Sequence, residues 1–171
     1  MKKISFSIFV FFSIILFCSL GTWQIYRLQW KLDLINEINY GLNSESVPYS
    51  KKNIINYQKV KFSGTFDFGK QIYLYSLNGN GKPGYDIITP LKINSNEILI
   101  VNRGWISNDL KNNKNINKMK SKSFEGIVKK ISKPNPFKPE NDIKNNVWYS
   151  LKLEDLQNFT GYKLTNFVLY L

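Results

Sequence analysis

Ile4 to Trp23 is a run of twenty residues without a charged side chain. A helix of that length, rising about 1.5 Å per residue, covers roughly 30 Å, the thickness of a bilayer's hydrocarbon core. Such a segment is either a membrane anchor or a signal that is removed. Lys2 and Lys3 precede it, as in a signal peptide. However, Ser19 and Gly21 match a small-x-small cleavage site only weakly, and the run is longer than a usual signal core. In Leu16-Phe17-Cys18-Ser19, Phe17 stands where a lipoprotein signal wants a small residue. The expectation is an uncleaved transmembrane anchor over 1–27. Lys2, Lys3 and the amino terminus slightly outweigh Arg27 and Lys31, which orients the N-terminus toward the cytoplasm.

The anchor ends in Gly21-Thr22-Trp23-Gln24-Ile25-Tyr26-Arg27-Leu28-Gln29-Trp30-Lys31. With Trp23 at zero, Tyr26, Arg27, Trp30 and Lys31 fall at about 300°, 40°, 340° and 80° on a helical wheel. Every aromatic and cation therefore shares one face. Rings and snorkelling cations suit the headgroup level. The same face would equally serve to dock the anchor on a partner. Leu28, Leu32, Ile35, Ile38 and Leu42 occupy about 60° to 180° on the same wheel, which predicts an amphipathic juxtamembrane helix over 28–43. Gly41 and Asn43 suit its end, and Pro48 cannot continue it.

After Pro48 the period changes to two. Gln58, Val60, Phe62, Gly64 and Phe66 alternate with polar residues, and this predicts a strand over 58–66. Further strands are predicted at Ile72–Tyr75, Tyr85–Leu91, Glu97–Arg103, Ser123–Ile131 and Asn166–Leu171. Pro90 argues for an edge or a bulge in the third. Glu97–Arg103 is the most apolar and so central. Asn78–Gly84 resembles a phosphate cradle in outline, but Pro83 follows the Lys and no apolar helix comes after, so a hairpin connection is expected. Ile93–Asn96 reads as a turn, Asn108–Lys122 as a polar loop, and Pro134, Pro136 and Pro139 enforce an extended loop. Leu153–Phe159 suits a short helix. The fold class is α+β: a transmembrane helix continuing into an amphipathic one, then a mainly antiparallel β domain over 44–171 with about five to seven strands.

Charge invites a nucleic-acid reading, at +12 net. Yet of 24 basic residues only Arg27 and Arg103 are arginine, and the lysines are scattered among Asn and Ile along the whole chain. That is composition, not a binding stripe; anionic headgroups are the expected beneficiary, and no nucleic-acid partner is predicted. The chain has no His, which removes Ser-His-Asp and Cys-His catalysis and imidazole metal ligation. Cys18 is the single cysteine, so no disulfide forms within one chain. Glu140, Asp142, Glu154 and Asp155 have no nucleophile or ligand set beside them in sequence. No enzyme or metal site is expected.

Two retained arginines beside tryptophans stand out in so Lys-rich a chain. Val101-Asn102-Arg103-Gly104-Trp105-Ile106 closes the most apolar strand. Either Arg103 makes a structural pair with a carboxylate while Trp105 fills the core, or the segment is a partner-reading corner. In the second case Gly104 gives backbone freedom, Arg103 the planar fork and Trp105 a ring face.

Four pieces occur in order: Gly21-Thr22-Trp23-Gln24 with Arg27, Leu28, Trp30 and Lys31; Val60-Lys61-Phe62-Ser63-Gly64-Thr65-Phe66; Ile100 to Ile106; and Pro136-Phe137-Lys138-Pro139-Glu140-Asn141 followed by Asn146, Trp148 and Tyr149. Together they resemble the surfeit locus protein 1 family, assembly factors for haem-copper cytochrome c oxidase, from about Leu20 to Leu171. The resemblance implies an inner-membrane protein with its domain on the periplasmic or intermembrane-space side. It implies a role in maturing oxidase subunit I around insertion of its haem, with subunit I or other assembly factors as partners. Trp23, Arg27, Trp30, Lys31, Asn102, Arg103, Gly104 and Trp105 become the candidate partner- or cofactor-facing residues. Gly64, Pro136, Phe137, Pro139, Glu140, Asn141 and Trp148 become structural motif positions. A His implicated in haem binding in some relatives has no counterpart, so a His-type axial bond to haem is not expected. Met1-Lys2-Lys3 leaves no room for a mitochondrial presequence, which favours a bacterial form. Family members normally carry a second membrane helix near the C-terminus, and the expectation here is a single-pass form without it. Alternatives are a membrane-tethered basic binding domain for another partner and a non-functional truncated remnant.

Overall fold

The uncharged run lies within one α-helix, α1 (Lys2–Asn43), 42 residues long. It belongs to a computed structural model that describes residues 2–50, 54–94, 97–111, 113, 123–133 and 135–171. Parts of three predicted segments lie outside these residues: Ser95 and Asn96, most of 108–122, and Pro134. The chain divides into two compact units, Met1–Tyr40 and Gly41–Leu171.

In the first unit, α1 is apolar enough to cross a membrane. Three of its hydroxyls are satisfied inside the helix: Ser13, Ser19 and Thr22 donate to the carbonyls of Phe9, Ile15 and Cys18 at 2.9, 2.8 and 2.9 Å. A hydroxyl that bonds its own preceding turn needs no water, which is what a hydrocarbon environment demands.

The second unit is a mixed, mostly antiparallel sheet. Among the described residues its eight strands are β1 (Val47–Pro48), β2 (Lys59–Ser63), β3 (Thr65–Phe66), β4 (Ile72–Leu77), β5 (Pro83–Asn94), β6 (Glu97–Ser107), β7 (Ser123–Lys130) and β8 (Phe167–Tyr170). The order is β1-β2-β7-β8-β6-β5-β3, with β4 also on β5. β6 is interior, as its apolar run predicts. It pairs antiparallel with β5 and parallel with β8.

The predicted strand over 58–66 is divided at Gly64. Its first part pairs with β7 and its second with β5, so the sheet path returns on itself. Gly64 is the corner. A Cβ there would lie 2.4 Å from the Lys92 carbonyl oxygen and 3.1 Å from Leu91 Cγ. Pro90 is neither on a free edge nor at a bulge: it opposes Ile100, and the register shifts lie at Asp86/Ile88 and Lys92/Asn94. Its carbonyl accepts the Asp67 N–H at 2.9 Å, so its ring nitrogen faces the gap between β4 and β3, where no ladder bond is lost. The Asn78–Lys82 connection is the expected hairpin turn, with Asn78 Oδ1 accepting from the N–H groups of Asn80 and Lys82.

Side chains alternate between two cores. Val60, Phe62, Phe66, Leu91, Leu99, Val101, Val128 and Leu169 fill one face, drawing on β2, β3, β5, β6, β7 and β8. Ile88, Ile100 and Val168 point the other way, where Trp148, Ile72, Leu164 and Leu156 cover them. Leu156 comes from α2 (Leu153–Thr160), which ends at Gly161 in the left-handed conformation. Trp148 is 0% exposed. It packs edge-on against Phe159 and donates from Nε1 to Asn146 Oδ1 at 2.9 Å.

A polar cluster ties the β3 turn to the rest of the unit. Tyr162 donates its hydroxyl to Asp67 Oδ2, and Lys92 Nζ lies 3.4 Å from the same oxygen. The Tyr162 hydrogen bond, reinforced by Lys92, holds the Asp67 carboxyl below the ordinary carboxylate range.

Two outcomes are expected. Gly64→Ala should lower stability by about 1–3 kcal/mol, because a backbone oxygen cannot yield as a side chain can. A urea midpoint equal to that of the parent would mean the corner accepts a Cβ. Tyr162→Phe should cost about 1 kcal/mol at pH 7. Asp67 has a depressed pKa, so its contribution is complete above the unfolded value of about 4 and fades as pH falls through the lower folded value. Denaturation curves of parent and variant should therefore converge in acid; a constant gap down to pH 2 would assign the loss to packing instead.

Candidate functional site

The candidate residues fall into three groups. On α1, the Arg27 guanidinium sits 5.3 Å from the Trp23 ring centroid, while Trp30 and Lys31 are exposed. These residues share one turn-to-turn face of a helix, and the cation–π contact leaves the rest of the indole open.

The second group occupies the end of β6, where alternation splits it. Asn102 points to the same face as Ile100 and is buried. Its Oδ1 accepts the Gly104 N–H at 2.9 Å and its carbonyl accepts the Leu171 N–H at 3.0 Å. Its side chain also hydrogen-bonds Asp86 and Tyr170. Burial raises the Asp86 carboxyl above the ordinary range, opposed by its neighbour Asn102. Burial likewise raises the Tyr170 phenol, and the Asp86 charge adds to it. Asn102 is thus the joint of a polar network over β5, β6 and β8.

Arg103 points to the opposite face. Its guanidinium lies 5.0 Å from the Phe68 ring centroid and 5.6 Å from that of Phe66. Burial pulls its pKa down, and the nearby Tyr73 opposes this. Gly104 has φ of 106°, a conformation a side chain would strain, so Arg103 and Trp105 are set by a turn only glycine makes comfortably. Trp105 lies across the neighbouring strand: a Cβ on Gly84 would be 2.4 Å from its Cζ2, and its Nε1 donates to the Ser76 carbonyl at 3.4 Å. Arg103 therefore stacks on two phenylalanines, and Trp105 covers a glycine of β5. Both are half-buried, each with part of its surface open.

The third group frames the outer face. Asn141 Oδ1 accepts from the N–H groups of Tyr149 and Ser150 at 2.9 and 3.1 Å. Its Nδ2 donates to the Ser150 carbonyl at 3.0 Å and to Asp155 Oδ2 at 2.7 Å. That one side chain joins the loop to α2 and positions Trp148. Pro136, Phe137, Pro139 and Glu140 are exposed; Phe137 is 94% exposed. A ring so fully in solvent gains nothing for the fold and is available to a partner.

Two features escape period and motif alike. One is the Asp86–Asn102–Tyr170 network, whose members are 16 and 68 residues apart in sequence. The other is a cleft of about 300 Å³ between the end of β7, the loop after it and β8, with lysines on its rim. Lys129, Lys130, Lys133 and Lys138 form a basic run in the sequence, but chain-wide Lys conceals it.

The SURF1 family model matches residues 11–170. The SURF1-like protein of Rickettsia conorii (strain ATCC VR-613 / Malish 7) is 34% identical over 172 residues, covering 96% of this chain and 70% of that protein. The SURF1-like protein of Rickettsia prowazekii (strain Madrid E) is 38% identical over 177 residues, with 96% and 68% covered. Surfeit locus protein 1 of Gallus gallus is 32% identical over 170 residues, with 85% and 54% covered. The match includes the β6 corner, the Gly64 corner and the Asn141–Trp148 frame, and on it the chain belongs to the SURF1 family.

Proposed function

We propose that this chain is a membrane-anchored assembly factor for haem-copper cytochrome c oxidase. It would assist maturation of subunit I, with α1 in a bacterial inner membrane and the β domain on the periplasmic side. Membership of the SURF1 family over residues 11–170 is the observation that carries the proposal, and the oxidase role is what the family resemblance implies. A helix apolar enough to span a membrane is consistent with it. The mode of action is binding: the open parts of Trp23, Trp30, Arg103, Trp105 and Phe137 offer ring faces and one planar cation to subunit I or to another assembly factor.

The residues do not fit a haem held by imidazole, because the chain has no His. Cys18, exposed on α1 within the apolar run, stands alone as a thiol. No step is assigned through haem.

In a strain deleted for this chain, haem-copper oxidase spectra and activity should fall while other respiratory complexes stay near normal, and the chain supplied in trans should restore them. Unchanged oxidase would defeat the proposal. Arg103→Lys keeps the charge but loses the flat face that lies on Phe66 and Phe68, so it should unfold cooperatively with a loss of about 1 kcal/mol. Rescue of the deletion strain should drop further than the folded fraction does. If rescue and folded fraction fall in step, Arg103 is a packing residue only.

A further inference from the structure

The cleft of about 300 Å³ beside β7 and β8 has a divided chemistry. Its floor is apolar, from Leu74, Leu151 and Val168. Its rim is cationic, from Lys129, Lys130, Lys133 and Lys138, and no carboxylate lines it among the described residues. Two of the cations are pinned in place. Lys138 Nζ donates to the Tyr149 carbonyl at 3.0 Å, and Lys129 Nζ lies 5.7 Å from the Tyr170 ring centroid. Asp86, on β5 across β6, is an acid whose charge influences Tyr170, and Asn102 already engages it.

We propose that this cleft binds the headgroup of an anionic phospholipid. The lysine rim would hold the phosphodiester, and the leucine and valine floor would take the first carbons of the acyl chains. Charge complementarity selects an anion, since the rim carries lysines and no acid among its described lining residues. The apolar floor selects an amphiphile over free phosphate, because a bare phosphate leaves that surface wet. The volume suits a headgroup and not a whole lipid. This inference draws on α1 as a membrane anchor for its supply of lipid, but the site itself lies wholly within the second unit.

The test uses the full chain in a non-ionic detergent, with short-chain lipids added as monomers, so that it does not depend on anchoring. Calorimetric titration with dihexanoyl phosphatidylglycerol should saturate at one site, and dihexanoyl phosphatidylcholine should bind far more weakly. The triple variant K129Q/K133Q/K138Q should lose about tenfold or more in affinity, judged from the usual contribution of a lysine near an anionic surface. A control triple, K61Q/K82Q/K163Q, removes the same charge elsewhere and should bind as the parent does. Leu151→Ser, a change at a half-buried position, should weaken the lipid while leaving glycerol phosphate unaffected. Equal losses in the two triple variants would overturn the proposal in favour of diffuse charge. Glycerol phosphate binding as tightly as the lipid would overturn it in favour of a free phosphate site. Displacement of bound lipid by an acidic peptide at equal concentration would overturn it in favour of a protein ligand.

Discussion

β6 is buried on both faces, and the second unit is organised around that fact. Leu99 and Val101 enter one core, Ile100 the other, and all three are almost fully inaccessible to water. Each such side chain contributes about 1.5–3 kcal/mol of burial. A slip of one residue would exchange the two faces, sending Asn102 toward the phenylalanines and Arg103 into the polar network. The register of β6 therefore decides where every residue of its functional end is placed. The fold and the candidate site share one determinant.

Two devices hold that register. The first is β8, four residues long, which fills the space between β6 and β7 and runs parallel to one and antiparallel to the other. The second is the corner at Gly64, which lets one stretch of chain pair with β7 and then with β5. Together they bring the sheet path back on itself, leaving little exposed edge along it. The outer face is then closed by Trp148, α2 and the Asn141 hydrogen bonds. Asn141 satisfies two part-buried backbone donors and reaches Asp155 with a single side chain, so the loop carrying Phe137 is fixed at its base and open at its tip.

The site residues divide by how much of each the fold consumes. Trp148 and Asn102 are consumed wholly, the one by packing and the other by hydrogen bonds. Arg103 and Trp105 are consumed in part, which joins the two alternatives the sequence leaves open: each packs against the domain and each keeps surface for a partner. Phe137 is consumed not at all. The cleft beside β7 and β8 follows the same logic at larger scale, since its floor is the continuation of the outer core and its rim is solvent-facing lysine.

Sequence alone determined what depends on neighbours along the chain. An uncharged run long enough for a bilayer, a short helix from Leu153, period-two strands and a glycine at the end of β6 all arise from short-range pattern, and all are present in the structure. The family resemblance was legible for the same reason, because its motifs are local. Tertiary structure alone decided what depends on residues far apart. Four residues near the C-terminus could not be known to separate β6 from β7, nor could Gly64 be known to break a strand whose alternation continues through it. The contact of Asp86 with Asn102 and Tyr170, the seating of Arg103 on Phe66 and Phe68, and the gathering of four lysines round an apolar floor also belong to this second kind. Pairing energies between strands depend on register and burial on both faces, and neither is a property of any one stretch of chain.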